Sequence, residues 1–186
     1  MEDFGRSLNV IDVEATCWEG EPPPGQVSEI IEIGLCVVDM FTRQRVERHR
    51  LLVRPQRSEV SACCTGLTGL TAEDLRGGLS FAQACRVLQR EHHADSRAWA
   101  SWGDYDRRQF GRQCRASGVP YPFGARHTNA KAEFSLTHGL PGRLGMAQAL
   151  EYAGLPLEGR HHRGDDDAWN IGALVLTLME RGAWPG

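Results

Sequence analysis

Lysine is all but absent from this chain. Lys131 is the only one, so the basic side chains are almost all arginine. Nor is there a surplus of positive charge: 21 Lys and Arg stand against 24 Asp and Glu, a formal net charge of −3. That excludes a protein that holds nucleic acid by bulk charge, and leaves local patches or bound cations for any such contact. None of the six cysteines (Cys17, Cys36, Cys63, Cys64, Cys85 and Cys114) stands in a CxxC pair. A zinc or dithiol redox motif is therefore not expected. Cys36 and Cys85 sit in apolar runs and read as small core residues, and the vicinal pair Cys63–Cys64 reads as buried thiol. No apolar run is long enough to span a bilayer and no signal peptide is visible, which predicts a soluble cytoplasmic protein with no membrane partner. Repeats, low-complexity tracts and interior linkers are missing too. A 186-residue chain with 41% apolar residues then reads as one domain with a sizeable core.

What is present is an ordered series of periodic segments. Residues 8–15 are mostly apolar, as in a strand buried on both faces. "EIIEIGLCVVDM" (29–40) and "RVERHRLLVRP" (45–55) read as two more strands, close enough in sequence to form an antiparallel meander. Thr71 with Asp74 marks a helix start, and Ser80 caps a helix over 80–93 that ends in His92 and His93, read as solvated. A strand over 97–102, a helix over 104–118, a loop over 119–127 and a helix over 142–154 follow. Residues 129–138 are ambiguous, and the order leaves room for one further short strand, not placed by the sequence. The last helix, 165–180, is strongly periodic. Three strands, helix, strand, then helices predict an α/β domain with a mixed central sheet flanked by helices.

The stretch "NVIDVEATC" (9–17) breaks the pattern of a core strand. Asp12 and Glu14 stand at i and i+2 and share a face, where two carboxylates repel each other. In the last helix, Asp167, Ile171, Leu174 and Leu178 form one stripe, so Asp167 points the way the core leucines point. Asp165 reads as that helix's cap and Asp166 as a solvated first-turn acid. In the helix after Trp102, Asp106 shares a stripe with Phe110, Gln113 and Cys114, while Arg108, Arg112 and Arg115 share another face, either solvated or meeting a phosphate backbone. Four inward carboxylates, Asp12, Glu14, Asp106 and Asp167, carry a penalty of several kcal/mol each unless compensated. Arginines are one compensation. Divalent cations are the other, since hard Mg²⁺ or Mn²⁺ takes all-oxygen ligands. Two such ions about 3.5–4 Å apart clamp the attacking and leaving oxygens of a phosphodiester. His162, in the Gly-rich loop "GRHHRGDDD", can take a proton beside them, and the carboxylates are expected to raise its pKa.

At these residues the chain resembles a known family. "VIDVEATC", "WGDYDRRQF" and "GRHHRGDDDAWNIGAL" resemble the three motifs of the DEDDh 3′→5′ exonucleases, and with "SEIIEIG" and "CTGLTGLTAEDL" they look closest to the Eri-like branch. The resemblance runs from about residue 8 to residue 180 and implies a ribonuclease H-like fold. It also implies roles. Asp12 would touch two Mg²⁺ (or Mn²⁺) ions, Glu14 and Asp167 would complete one site, and Asp106 would hold the second. His162 would be the general base, since it lies five residues before Asp167. Asp104 competes with Asp106, and His161 is set aside because it would require Asp166 as the last acid. Glu14, Ala15, Thr16 and His162 fall where the family meets the terminal nucleotide, and Leu70 falls where it places an apolar wedge, though it reads equally as an ordinary core leucine. Trp102 and Tyr105 are candidates for base stacking or for packing. The implied activity is hydrolysis at nucleic-acid 3′ ends, single-stranded or in short overhangs, RNA favoured over DNA, releasing nucleoside 5′-monophosphates.

Two rivals remain at this point. One is an exonuclease-like module that binds RNA or protein without cutting; the loss of an acid would mark it, and all four acids and the histidine are present. The other is a metal-dependent phosphoesterase acting on small molecules.

Overall fold

In the computed structural model, which describes residues 5–185, the chain folds around a five-stranded mixed sheet. The strands are β1 (Ser7–Ala15), β2 (Ile30–Asp39), β3 (Gln44–Leu52), β4 (Ala98–Ser101) and β5 (His127–Asn129), in the spatial order β3-β2-β1-β4-β5. The first three form the expected antiparallel meander. β4 and β5 then add in parallel on the other side of β1. The helices are α1 (Ala62–Thr68), α2 (Ala72–Leu75), α3 (Phe81–His92), α4 (Tyr105–Ser117), α5 (Ala130–Thr137), α6 (Met146–Ala153) and α7 (Gly164–Glu180). Among the described residues, no helix is long and apolar enough to cross a membrane.

The pleat of the strands divides the core. Leu8, Val10, Cys36 and Val38 turn to one face, where α7 packs with Ile171, Leu174, Val175 and Leu178 and is backed by α5 and α6. Ile11, Val13, Leu35 and Val37 turn to the other, against Phe81 and Leu88 of α3 and Phe110 of α4. With both faces covered, every residue of β2 is buried, which is why its sequence reads as one apolar run.

The local signals account for the ends. Thr71 with Asp74 and Ser80 with Gln83 form reciprocal capping boxes. The ambiguous stretch resolves mainly into α5, while β5 straddles its start, from His127 at the end of the expected loop to Asn129. Asn129 ends one and caps the other by accepting from the Ala132 N–H, and neither piece is long enough to show a period. The helix expected from 142 starts at Met146, because the Gln148 side chain accepts from Gly145 N–H and fixes the first turn there.

Candidate active site

The site forms where the end of β1 meets the start of α7. Gly34 on β2 lies directly under Gly164, the first residue of α7, and a methyl group on Gly34 would collide with the Gly164 carbonyl. This close approach lays the helix start on the sheet. The Gly164 N–H donates to Glu32 Oε2 at 3.0 Å, fixing the contact. Asp167 then comes down beside Asp12 and Glu14, and oxygens of the three carboxyls lie within 4.8 Å of one another. Asp106 joins from the far side of the sheet. It is 4% exposed, and its Oδ1 accepts from Val13 N–H at 2.9 Å, between the two acids of β1. Asp104, its competitor, is turned away, with Arg107 and Asn129 donating to it at 3.3 and 3.2 Å.

The electrostatics of the cluster are unfavourable without a cation. Burial, and then Asp106, Asp167 and Glu14, push the Asp12 carboxyl well above its usual range. Glu14 rises to about 8 by burial and by Asp167, Glu32 and Asp106. Asp106 rises to about 7 by burial, against the Val13 hydrogen bond that lowers it. Asp167 is raised by burial and held back by His161. Asp12 Oδ2 is shut off from solvent and has no hydrogen-bond partner. A buried acceptor without a donor, in an all-oxygen set of converging carboxylates, fits a hard divalent cation.

The two histidines share the site. His162 has φ 65°, a left-handed conformation rare outside glycine, and this turns its backbone N–H onto Asp167 Oδ2 at 2.9 Å. Its ring Nδ1 stands 3.9 Å from Glu14 Oε1. His161, set aside on spacing, lies with its Nδ1 3.1 Å from both Asp167 oxygens and stacks on His162 at 3.9 Å. The expected rise in the His162 pKa is reversed. Burial and the neighbouring His161 lower it, and outweigh the pull of Asp167.

Two further readings need correction. Asp165 does not cap α7: the N-cap is Arg163, with no side-chain cap bond, and Asp165 pairs with Arg48 and Arg163 at 3.1 Å each. Asp166 is not solvated. It is 5% exposed, pairs with Arg48, and accepts from Arg160 N–H at 2.8 Å. The arginines of β3 are the cause, for Arg48 and Arg50 turn toward the helix start and pair with the acids there. The sequence reading also missed Glu32. It is wholly buried opposite Glu14, pairs with Arg50 and helps raise Asp12 and Glu14. Its signal was a charged residue inside the apolar run of β2.

The expected nucleotide contacts divide. Ala15 is buried at the end of β1. The Thr16 hydroxyl is taken up by the chain itself, accepting from Glu29 N–H at 2.9 Å. Leu70 is 4% exposed and packs with Ile31, Cys64 and Leu75, a core placement. Trp102 donates to the Leu144 carbonyl at 3.1 Å and lies against Phe134. Tyr105 is 54% exposed beside Asp106. Of the arginine face of α4, Arg108 and Arg115 join Arg107, Tyr121 and His127 around a cleft of about 730 Å³, while Arg112 turns back to Gln109. Among the cysteines all are free; Cys64 is buried, but Cys63 is exposed.

With this geometry in place, the comparisons with known proteins are consistent with one another. A family profile described as Exonuclease (RNase_T) matches residues 10–175. The chain is 27% identical to "3'-5' exonuclease Snipper" of Drosophila melanogaster, over 93% of this chain and 69% of that one. It is 28% identical to "3'-5' exoribonuclease 1" of Homo sapiens, over 93% of this chain and 52% of that one. It thus spans about half the length of the human relative. A solved nuclease domain of 3'hExo, described as a DEDDh family member bound to rAMP, is similar with a TM-score of 0.83 at 25% identity, covering 98% of this chain and 96% of that domain.

Proposed function

The chain belongs to the exonuclease family, in its DEDDh, Eri-like branch, and from that premise we propose that it shortens RNA from the 3′ end, releasing nucleoside 5′-monophosphates. The unit responsible is a single domain over about residues 8–180. The observation that carries the reading is the convergence of the Asp12, Glu14 and Asp167 carboxyls around the unpartnered Asp12 Oδ2, with two imidazoles alongside. Asp12, Glu14 and Asp167 would hold one Mg²⁺ or Mn²⁺ ion, and Asp106 would share a second with Asp12. Such ions polarise the phosphoryl oxygens and neutralise charge on the attacking and leaving oxygens.

The protein's own groups do the rest. Burial and His161 lower the His162 pKa, which favours the neutral ring that accepts the proton of the attacking water. The water oxygen bonds to the last phosphorus and the P–O3′ bond breaks. The departing oxygen, once protonated, is the new 3′-hydroxyl. His161 braces the Asp167 carboxyl through its Nδ1. Tyr105 offers a face for base stacking at the mouth. The arginine cleft along α4 gives the strand body phosphate contacts that the chain's net charge does not supply. RNA is favoured because the human relative is named an exoribonuclease and the 3'hExo domain holds rAMP.

The test is a 5′-labelled RNA and its DNA counterpart, single-stranded and with a short 3′ overhang, incubated with Mg²⁺ or Mn²⁺. A ladder shortening from the 3′ end, abolished by EDTA and by Asp12→Ala, is expected, with RNA faster. Mg²⁺-dependent binding without shortening of any substrate would point instead to a non-cutting module.

A further inference from the structure

Away from the carboxylate centre, the pleat of β3 sorts its side chains. Arg48 and Arg50 turn to the acids of α7, so Glu47 and His49 turn to the opposite face. There they meet His92, the last residue of α3. Each of the three offers one ligand atom, and these atoms all lie within 4.8 Å of one another. His49 Nε2 is 2.8 Å from Glu47 Oε2, and the two imidazole centroids are 4.3 Å apart. The sequence suggests a solvated His92, but it is only 5% exposed, and its Nδ1 is buried with no hydrogen-bond partner. Its backbone is pinned as well, since Asn9 Nδ2 donates to the His92 carbonyl at 2.8 Å.

We propose that Glu47, His49 and His92 form a second metal site, for a borderline first-row cation of the Zn²⁺ class. Imidazole nitrogen suits Zn²⁺ better than Mg²⁺, so the site differs in donor chemistry from the all-oxygen centre. Ligand atoms around a tetrahedral Zn²⁺ lie about 3.3 Å apart, given bonds of roughly 2.0–2.1 Å. Glu47 is exposed and His49 half-buried, so both can close on an ion while His92 stays fixed. Three protein ligands leave a position for water. Of the charges around His92, Glu91 favours a cation and Arg97 opposes it. The ion would tie edge strand β3 to the end of α3. This assignment is independent of the proposed activity.

The experiment uses the full chain, stripped with EDTA, exchanged into saturating Mg²⁺ and titrated with Zn²⁺ by calorimetry. One Zn²⁺ per chain is expected, with a rise in Tm of roughly 5–10 °C at a hundredfold excess over Kd. His49→Gln and Glu47→Gln, both outside the catalytic cluster, should each weaken binding roughly tenfold or more. Asp12→Asn should bind as wild type does. Co²⁺ in place of Zn²⁺ should show nitrogen and oxygen ligation with no thiolate charge-transfer band. The proposal is overturned if Zn²⁺ does not bind, if His49→Gln binds it as tightly as wild type, if Asp12→Asn alone abolishes binding, or if a thiolate band shows the ion bound by cysteine sulfur.

Discussion

Gly34 and Gly164 meet backbone to backbone, with no room for a side chain on the strand residue. The contact sets the height of α7 above the sheet, and with it the position of Asp167. Gly34→Ala should therefore cost about 3 kcal/mol or more, the upper end of overpacking, because the clash is with backbone. Activity should fall further than stability explains, since the helix start carries Asp167 away from Asp12. Gly66→Ala, where a methyl group meets open space inside α1, is the control and should be neutral or stabilising. Chemical denaturation and initial rates on both variants check this.

The stacked histidines are separable. His162→Gln should lower kcat by about 10²–10⁴, the range of a lost general base. His161→Gln should cost about 10–100-fold, as for a group that orients a ligand, with the loss seen also in the divalent-ion dependence. Single-turnover rates against Mg²⁺ concentration measure both. Equal losses in kcat with unchanged Mg²⁺ dependence would contradict the division of roles.

These two cases also show what the sequence makes legible. Asp12, Glu14, Asp106 and Asp167 stand out because each acid interrupts an apolar face of its own element. The pattern is local, and so is its reading. Glu32 belongs to the same electrostatic system but joins through the β1–β2 register and Arg50, both long-range facts. Asp165 and Asp166 look like helix-start acids until Arg48 of β3 is brought over them. The two histidines differ by one residue, so spacing assigns one of them. It does not reveal that both sit at the site, nor that burial lowers the His162 pKa where carboxylates alone would raise it.

The raised carboxyl pKa values make stability depend on pH in a definite direction. Glu14 goes from 4.5 to about 8 and Asp106 from 3.8 to about 7. The folded chain thus holds protons that the unfolded chain has released. The stabilisation is complete below the unfolded values and is lost as pH rises through the folded ones. In EDTA, Tm should fall steadily between about pH 5 and pH 8. Saturating Mg²⁺ should flatten the slope, because a bound cation replaces the protons. A Tm in EDTA that rises over this window would show the acids to be ionised and compensated by other means.

The same imbalance predicts an opposition between activity and stability at Asp12. Asp12→Asn keeps the shape and removes a carboxyl that burial and its acidic neighbours force to take up a proton on folding. In EDTA its Tm should exceed that of wild type, while in Mg²⁺ the order should reverse. Activity should drop by about 10³-fold or more, the equivalent of roughly 4 kcal/mol of lost charge stabilisation. Paired thermal scans with and without Mg²⁺ separate this from ordinary core damage, which lowers Tm under both conditions.

The arginine cleft gives a prediction about the strand body rather than its end. Arg107 is held by Asp104 and Arg112 by Gln109, but Arg108 and Arg115 have no ion-pair partner among the described residues. Arginines left free beside a cleft of about 730 Å³ are available to phosphates. If each meets one, Arg108→Glu and Arg115→Glu should each reduce the salt dependence of single-strand binding by about 0.7 in log–log slope. KM should rise for long oligonucleotides and stay level for a dinucleotide, which is too short to reach along α4. kcat should hold in both cases, because neither residue touches the carboxylate cluster. Equal losses on long and short substrates would place the cleft in the end-binding site itself. No change on either would leave the two arginines as solvated surface, and the strand body would then leave the site across a different face.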